Sequence, residues 1–347
     1  MMSKKMIKIL VASGFVEFSQ EQKQQLSSLG VVTWAKNNKE YSVDEFVALA
    51  KGADYVAFNP EVLGGFEGLY QKFETILPQL PALKGIALGT TSFGYIPLDL
   101  IKKQGISVSH VPGYSRESVA EHTLLMMLGA AKRLFVTDRK TQLDQFQLEE
   151  GFELANRTLG VIGLGSIGSR VAQLGRSIGM DVIAWDRKEK YLPGMKQLPL
   201  DEVLSKADVV SLHLSDNRET HQFLSKNKIK LLKKGAIVVN TASRELVDEI
   251  AMAKALQKKQ VDSYVFEAED LSTGPLANCP NAILFKCFSW YTSDSLERNK
   301  KIWVENMVGM VEGKVVNSVP SFAEATAGTA SFKRHNPFLF PSFLIRQ

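Results

Sequence analysis

A short glycine motif constrains the fold of this chain more than any other feature. Residues 163–168 read Gly163-Leu-Gly165-Ser166-Ile167-Gly168, after an apolar run at 159–162 and before a helical pattern at 166–178. Between a strand and a helix, the first glycine permits a tight turn and the second lets the backbone approach a pyrophosphate. The third glycine lets the helix pack closely on the strand, and the helix start at Ser166 and Ile167 offers N–H groups to an anion. The motif predicts a dinucleotide-binding unit, the alternative being a glycine-rich turn without a ligand.

The next apolar run ends in an acid that agrees with this prediction. Asp186 lies 18 residues past Gly168, at the end of DVIAWD. A carboxylate there accepts hydrogen bonds from the adenine ribose hydroxyls and repels a 2′-phosphate, which favours NAD over NADP. The adjacent Arg187 and Lys188 weaken that preference.

Strand-like and helix-like segments alternate along two stretches of the chain. Over residues 6–110 the strand candidates are IKILVA, VVTWA, DYVAF, KGIALGT and ISVSHV, and SVDEFVALAKGA is a helix with Ser42 as a plausible N-cap. After residue 157 six apolar runs follow: TLGVIGLG, DVIAWD, DVVSLHL, AIVVNTA, DSYVF and NAILF. Such alternation indicates parallel sheets covered by helices, and the second series predicts a doubly wound domain.

Three further segments complete the chain. A long, largely apolar helix is predicted over 115–134, buried between domains or subunits. A second helix is predicted over 295–313. The tail 318–347 contains Pro320, Pro337 and Pro341 and a cluster of phenylalanines at 332, 338, 340 and 343, and we expect it to pack on its own body or on a subunit neighbour. A partner-binding peptide is the alternative.

Composition indicates a soluble globular protein, with 45% hydrophobic and 23% charged residues. The net charge of +5 is diffuse, and the basic run 226–234 alternates with apolar residues, so a solvated helix face is favoured over a nucleic-acid patch. The sequence contains no run of about 18 apolar residues, so it predicts no membrane span. The short apolar run 7–12 after a basic start reads as a first strand and not as a signal peptide. Cys279 and Cys287 are too few for a disulfide framework, so we expect a reducing, cytoplasmic location and no metal site.

Ordered segments of the chain resemble the D-isomer-specific 2-hydroxyacid dehydrogenase family. They are GYSRESVAEHTLLMMLGAAKRL, TLGVIGLGSIGSRVA, VVSLHL, VVNTASRELVDEIAMAKAL, VFEAEDL and NAILFKCFSWYT. The resemblance implies an α/β fold of two doubly wound parallel-sheet domains, with a Rossmann NAD-binding domain (106–294) inserted into a flavodoxin-like substrate domain (1–105 and 295–320) and followed by a tail (321–347). It also implies a small-molecule substrate in the cleft and a homodimer, with the helix 115–134 at the hinge and the interface.

The resemblance implies an Arg, a His and a Glu at the catalytic centre, and only the Glu carries over directly. Glu269 is the second acid of VFEAEDL; its alternative reading is a solvated loop acid. Ungapped alignment puts Ser243 at the arginine position and Arg244 at the glycine position. Because successive residues of an extended chain point to opposite faces, Arg244 reaches the site only if the loop bulges locally. Otherwise it is a surface arginine.

The histidine position is lost, because the family's Thr-Pro-His is replaced by Phe285-Lys286-Cys287. A thiol with a pKa of about 8.5 is protonated at neutral pH, so Cys287 is a possible proton donor, although it lacks the two-sided geometry of imidazole. Lys286 is a second candidate acid, which strand alternation would point away from Cys287. A cysteine at a strand end is more often buried, so burial of Cys287 is the default expectation, and a nucleophilic role is a third, weaker reading.

Further candidates surround the predicted cleft. For the cofactor they are His213, at the end of a strand, and the loop residues Thr241, Ala242 and Ser243. For the substrate they are Ser92, Phe93 and Gly94, whose backbone amides can bind a carboxylate, with Tyr114 and Trp290 at the flanks. Together these features predict an NAD-dependent oxidoreductase acting on a 2-hydroxy or 2-keto acid, with altered Arg and His positions. The alternative is an NAD(H)-binding protein without turnover, acting as a sensor or scaffold.

Overall fold

A computed structural model describes residues 6–13, 18–66, 68–215, 217, 219–268 and 274–319. Its strands form two sheets, and every strand pair within them is parallel. Glu269 and the tail 321–347 lie outside the described residues. None of the described helices is both long enough and apolar enough to cross a membrane.

The first sheet has the strand order β2-β1-β3-β4-β5. Its strands are β1 (Lys8–Ala12), β2 (Val31–Trp34), β3 (Tyr55–Phe58), β4 (Gly85–Leu88) and β5 (Ser107–Ser109). Its helices are α1 (Gln20–Leu29), α2 (Val43–Ala50), α3 (Leu69–Ile76) and α4 (Leu98–Gln104), with 3₁₀ turns at Pro60–Leu63 and Leu77–Gln79. This order is the flavodoxin-like one that was predicted. The predicted N-cap of α2 is confirmed, because the Ser42 hydroxyl accepts from the Glu45 amide and the Glu45 carboxylate accepts from the Ser42 amide.

The second sheet has the order β12-β11-β10-β9-β6-β7-β8. Its strands are β6 (Thr158–Ile162), β7 (Asp181–Trp185), β8 (Lys196–Gln197), β9 (Val209–Leu212), β10 (Ala236–Asn240), β11 (Val261–Glu267) and β12 (Ala282–Phe285). The helices between them are α7 (Ser166–Ser177), α8 (Leu200–Lys206), α9 (Lys226–Ile229) and α10 (Glu249–Gln257), with a 3₁₀ turn at Arg244–Leu246. All six predicted apolar runs are strands. The order reverses between β6 and β9, which is where a doubly wound sheet opens a crevice for a ligand.

The helix predicted over 115–134 corresponds to α5 (Arg116–Ala131), which ends three residues earlier than predicted. A break at Arg133, which takes a left-handed backbone conformation with φ 59°, separates α5 from a further helix, α6 (Leu134–Gln142). The guanidinium of Arg133 donates to both carboxylate oxygens of Asp262 on β11, so this ion pair holds the break in place. The helix predicted over 226–234 is likewise shorter, since α9 covers only Lys226–Ile229.

The last helix, α11 (Ser293–Val311), returns to the first sheet. Trp303 is fully buried there and its indole N–H donates to the Ala87 carbonyl at 2.7 Å. Asn299 donates to the Gly89 carbonyl at 2.9 Å. The first sheet therefore packs against a helix that follows the second sheet in the chain. The first sheet also includes β5, which lies beyond residue 105, the predicted end of its N-terminal segment.

Candidate active site

The glycine motif forms the turn between β6 and α7. Gly163 has φ 95°, a conformation that L side chains rarely adopt. A methyl group on Gly168 would lie 1.9 Å from the Gly163 carbonyl oxygen, so α7 approaches β6 as closely as the backbone allows. A methyl group on Gly165 would meet nothing within 4 Å. Open space over Gly165, beside the N-terminus of a helix of three turns, fits a bound pyrophosphate.

Asp186 lies just past the end of β7 and is tied to this turn. Its carboxylate accepts from the Leu164 amide at 2.7 Å, the Lys188 amide at 2.9 Å and the Lys190 ammonium at 2.9 Å. Desolvation raises the pKa of Asp186, but these hydrogen bonds outweigh it and leave the pKa below its usual range. The carboxylate therefore stays ionised at the place where adenine ribose is expected to bind.

His213 follows β9 and packs beneath the glycine turn. Its amide donates to the Ile162 carbonyl at 2.8 Å, and its Nε2 shares a hydrogen bond of 2.8 Å with the Ser211 hydroxyl. Desolvation lowers the pKa of His213 to about 3, so the ring is neutral at physiological pH. The structure thus gives His213 a role in supporting the turn from below.

This burial predicts a pH-dependent stability. The unfolded state binds a proton on His213 below about pH 6.5 while the folded state does not, so stability is lost as the pH falls from about 6.5 towards 3. At pH 4.5 the loss is about 2–3 kcal/mol. Urea unfolding at pH 7.5 and 4.5 should show that His213→Gln, which cannot titrate but keeps a polar group for Ser211, loses less stability on acidification than the wild type. An equal loss in both proteins would contradict the assignment.

The loop after β10 is shaped by one buried amide. Asn240 is fully buried; its side chain donates to the Ser243 carbonyl at 3.0 Å and accepts from the Ala242 amide at 3.0 Å. Thr241 points to α5, where its hydroxyl lies 3.1 Å from the Thr123 hydroxyl. These contacts hold the loop at the carboxyl end of the sheet.

Arg244 is bound to α10. Its Nε and one terminal nitrogen each lie 2.9 Å from a carboxylate oxygen of Glu249, a two-point ion pair. Ser243, whose hydroxyl accepts from the Glu245 amide, starts the 3₁₀ turn that aims Arg244 in this direction. The positive charge of Arg244 is therefore already compensated.

Cys287 is exposed, so the default expectation of burial is wrong. β12 ends at Phe285, and Lys286–Phe288 form a turn closed by a hydrogen bond of 2.8 Å from the Phe288 amide to the Lys286 carbonyl. Strand alternation no longer applies there, and Lys286 is exposed as well.

A buried carboxylate holds this turn. Glu267, at the end of β11 and 5% exposed, accepts from the amides of Phe288 and Ser289 at 2.9 and 2.8 Å and from the Ser289 hydroxyl at 2.6 Å. Three donors on one carboxylate fix the backbone on which Cys287 and Trp290 lie. We define residues 286–290 as the Cys287 loop.

Helix α5 contacts the same loop. The Ser118 hydroxyl donates to the Ser289 carbonyl, and the His122 ring packs against Phe288 with ring centroids 4.9 Å apart. His122 Nε2 lies 3.9 Å from a Glu267 oxygen and has no hydrogen-bond partner among the described residues. Desolvation lowers the pKa of His122 against the opposing effect of Glu267. His122 therefore packs on the Cys287 loop, and Glu267 hydrogen-bonds to its backbone.

The predicted substrate residues form two groups. Ser92 and Gly94 are exposed on the loop after β4, which the Thr90 hydroxyl closes by donating to the Ser92 carbonyl at 2.8 Å. Phe93 packs on His110, with ring centroids 5.3 Å apart. Tyr114 is buried, and burial raises its pKa to about 12; Trp290 packs against the cluster that contains Tyr114.

Comparison with known proteins decides the family. Residues 124–286 match the model of the D-isomer specific 2-hydroxyacid dehydrogenase NAD binding domain. A glyoxylate reductase of Aeropyrum pernix is 33% identical over 258 residues, which are 69% of this chain and 77% of that protein. The chain belongs to the D-isomer-specific 2-hydroxyacid dehydrogenase family. The resemblance inferred from the sequence is thus confirmed.

Two further relatives of this 2-hydroxyacid dehydrogenase family protein agree. A 2-hydroxyacid dehydrogenase homolog of Haemophilus influenzae is 30% identical over 268 residues, covering 70% of this chain and 81% of that protein. The structure of D-lactate dehydrogenase from Aquifex aeolicus, complexed with NAD and lactic acid, superposes with a TM-score of 0.72. It is 30% identical and covers 88% of this chain and 96% of that one. The chain is thus an oxidoreductase-family protein with an NAD-binding domain.

The structure joins Asp186 to the glycine turn, places the loop 241–243 after β10 in the same sheet, and packs the Cys287 loop against α5. It turns Arg244 to Glu249, and the predicted Glu269 lies outside the described residues. Sequence reasoning missed Glu267, whose signal was its place two residues before Glu269, and Lys190, whose signal was a third cation close behind Asp186. Among the described residues, no group of three or more His, Cys, Asp or Glu side chains is arranged to hold a metal ion.

Proposed function

We propose that this protein is an NAD-dependent oxidoreductase of the D-2-hydroxyacid dehydrogenase type, acting on a 2-hydroxy or 2-keto acid-like substrate with altered Arg and His positions. The observation that carries the proposal is the glycine turn, with open space over Gly165 and an ionised Asp186 at the ribose end. Relatives named glyoxylate reductase and D-lactate dehydrogenase support the substrate class. Reduced NAD supplies a hydride when bound, and the chain's own residues have to bind and orient the substrate.

The substrate carboxylate has to be bound by hydrogen-bond donors that no other group already engages. Because Glu249 compensates the charge of Arg244, the exposed segment Ser92–Gly94 is the favoured anchor, and Arg244 contributes only through N–H groups that Glu249 does not engage. Tyr114 and Trp290 shape the flank of the cleft from one apolar cluster. Backbone amides should bind the carboxylate of a small 2-keto acid with lower affinity than a bidentate arginine would.

The proton donor is the second altered position. The Cys287 thiol is exposed and is one candidate donor, and Lys286 is the neighbouring alternative. Loss of a positioned general acid typically costs about 10²–10⁴ in rate. We therefore expect slow turnover of ordinary 2-keto acids, with Glu269 in the role that the family resemblance implies.

One test separates this proposal from an NAD(H)-binding protein without turnover, which the Arg244–Glu249 pair and the vacated histidine position favour. NADH should raise the melting temperature in a concentration-dependent way, because a ligand selective for the folded state stabilises it. NADH oxidation over a panel of 2-keto acids should then show turnover of at least one. Stabilisation without oxidation of any member favours the binding protein, and no stabilisation removes both.

A homodimer is part of the proposal. Leu125 on α5, Leu143, Phe146 and Leu148 just after α6 are 50%, 66%, 61% and 87% exposed in the single chain. Leu143, Phe146 and Leu148 lie within six residues, and a group of apolar side chains this exposed is typical of an interface. Sedimentation velocity at micromolar concentration should give the mass of a dimer, and a monomer mass would contradict this part.

A further inference from the structure

The carboxylate that should select NAD is already paired with a lysine. Lys190 Nζ lies 2.9 Å from one oxygen of Asp186 and 2.8 Å from the Leu164 carbonyl oxygen. The Lys190 side chain is 38% exposed and the Asp186 side chain 13% exposed. The pair thus stands at the surface of the glycine turn and carries no net charge.

The position of Lys190 is built into the fold. Gln197 on β8 accepts from the Lys190 amide at 3.0 Å and donates to the carbonyls of Lys188 and Asp186 at 2.9 and 3.2 Å. These bonds close residues 186–190 into a compact turn on the sheet edge. The fold therefore places the backbone of Lys190 beside Asp186, and the hydrogen bonds to Asp186 and to the Leu164 carbonyl hold the ammonium there.

The cation next to Asp186 in sequence points elsewhere. Arg187 pairs with Glu219 at 2.9 Å, across to the loop that follows β9, and both side chains are more than half exposed. Lys188 donates to Asp186 through its backbone amide, whereas Lys190 donates to the carboxylate through its side-chain ammonium. Asp186 excludes a 2′-phosphate by repulsion, and an ammonium in contact with it removes much of that repulsion while offering the phosphate a partner.

We propose that Lys190 makes the ribose end of the site accept NADPH as well as NADH. With NADH it stays on one oxygen of Asp186, while the other oxygen, which accepts from the Lys188 amide, accepts a further hydrogen bond from a ribose hydroxyl. With NADPH the ammonium turns to the 2′-phosphate and keeps it apart from Asp186. The inference rests on the proposed use of NAD(H) and adds a determinant of cofactor choice.

Binding titrations followed by reduced-nicotinamide fluorescence test this without any substrate. The wild type should bind NADPH within about tenfold of NADH. Lys190→Met should weaken NADPH binding by about 10–100-fold, since a charge-assisted hydrogen bond contributes about 1.5–3 kcal/mol, and should change NADH binding by less than about threefold. Lys190→Arg keeps the cation and should retain NADPH binding.

Lys206→Met is the matched control, because Lys206 on α8 also loses one surface ion pair, at 2.7 Å from Glu202. It should change neither affinity. Wild-type protein that binds NADH but binds NADPH more than about 100-fold more weakly overturns the inference alone, as does an equal loss of both cofactors in Lys190→Met. Absence of binding to either cofactor overturns the proposed function and, with it, this inference.

Discussion

Gly168→Ala should lower the free energy of unfolding by about 1–3 kcal/mol and weaken NADH binding by at least about tenfold, because it overpacks the turn that carries the cofactor. The new methyl group would lie 1.9 Å from the Gly163 carbonyl oxygen and 3.2 Å from the His213 Cβ. The nearest of these atoms is backbone, so α7 must move away from β6. Urea unfolding and a fluorescence titration with NADH measure the two effects.

Gly165→Ala is the variant that separates the two effects. Its methyl group would meet no protein atom within 4 Å, and Gly165 is not in the left-handed region, so the melting temperature should stay within about 2 °C of the wild type. The same methyl group would stand where the pyrophosphate is expected to approach the backbone, so NADH binding should still weaken. Unchanged NADH binding in Gly165→Ala would contradict the placement of the pyrophosphate at this turn.

On the proposed function, placing His and Arg at the positions where the family resemblance implies them should raise turnover. In the double variant Cys287→His and Ser243→Arg, NADH oxidation with small 2-keto acids should rise by about 10²–10⁴, because a general acid alone contributes that much. The imidazole would stand on a loop whose backbone Glu267 already fixes by three hydrogen bonds. A new Arg at 243 would be added to the loop without the Glu249 partner that engages Arg244.

Tyr291→His is the matched control, since it adds an imidazole at a side chain that is 53% exposed and lies one residue after the same loop. It should leave turnover near the wild-type value. If the double variant folds and binds NADH but oxidises it no faster than the Tyr291→His protein, residues 243 and 287 are not the positions that the family resemblance implies.

Regular elements were predictable because their causes are local. The six apolar runs of the second domain are all strands, and Ser42 caps α2 through bonds to a residue three positions away. The glycine turn was predictable because its three glycines, which lie within six residues, each permit a backbone conformation or close approach that a side chain would prevent. The break at Arg133 was missed because it depends on an ion pair to Asp262, 129 positions later.

The site was predictable only where its geometry follows from sequence spacing. Exposure of Cys287 depends on Glu267, which lies on the neighbouring strand and ends the regular run of β12 by binding two amides beyond it. The direction of Arg244 depends on Glu249, which the helix α10 presents. Lys190 reaches Asp186 only because β8 pairs with β7 and brings Gln197 under the loop. Long-range contacts of this kind leave little trace in local pattern.

Transfer of a labelled hydride tests the central claim most directly. The protein would be incubated with NADH carrying deuterium at the transferable C4 position and with a panel of 2-keto acids, and the products analysed by mass spectrometry and chiral separation. This readout accumulates product over hours and so detects turnover slowed by the altered acid and anchor. We predict deuterium at C2 of a hydroxy acid of D configuration, and less of this product when Gly165→Ala protein is used at the same subsaturating NADH concentration. Stoichiometric NADH binding without any labelled hydroxy acid across the panel would contradict the claim that this protein is an active dehydrogenase of these substrates.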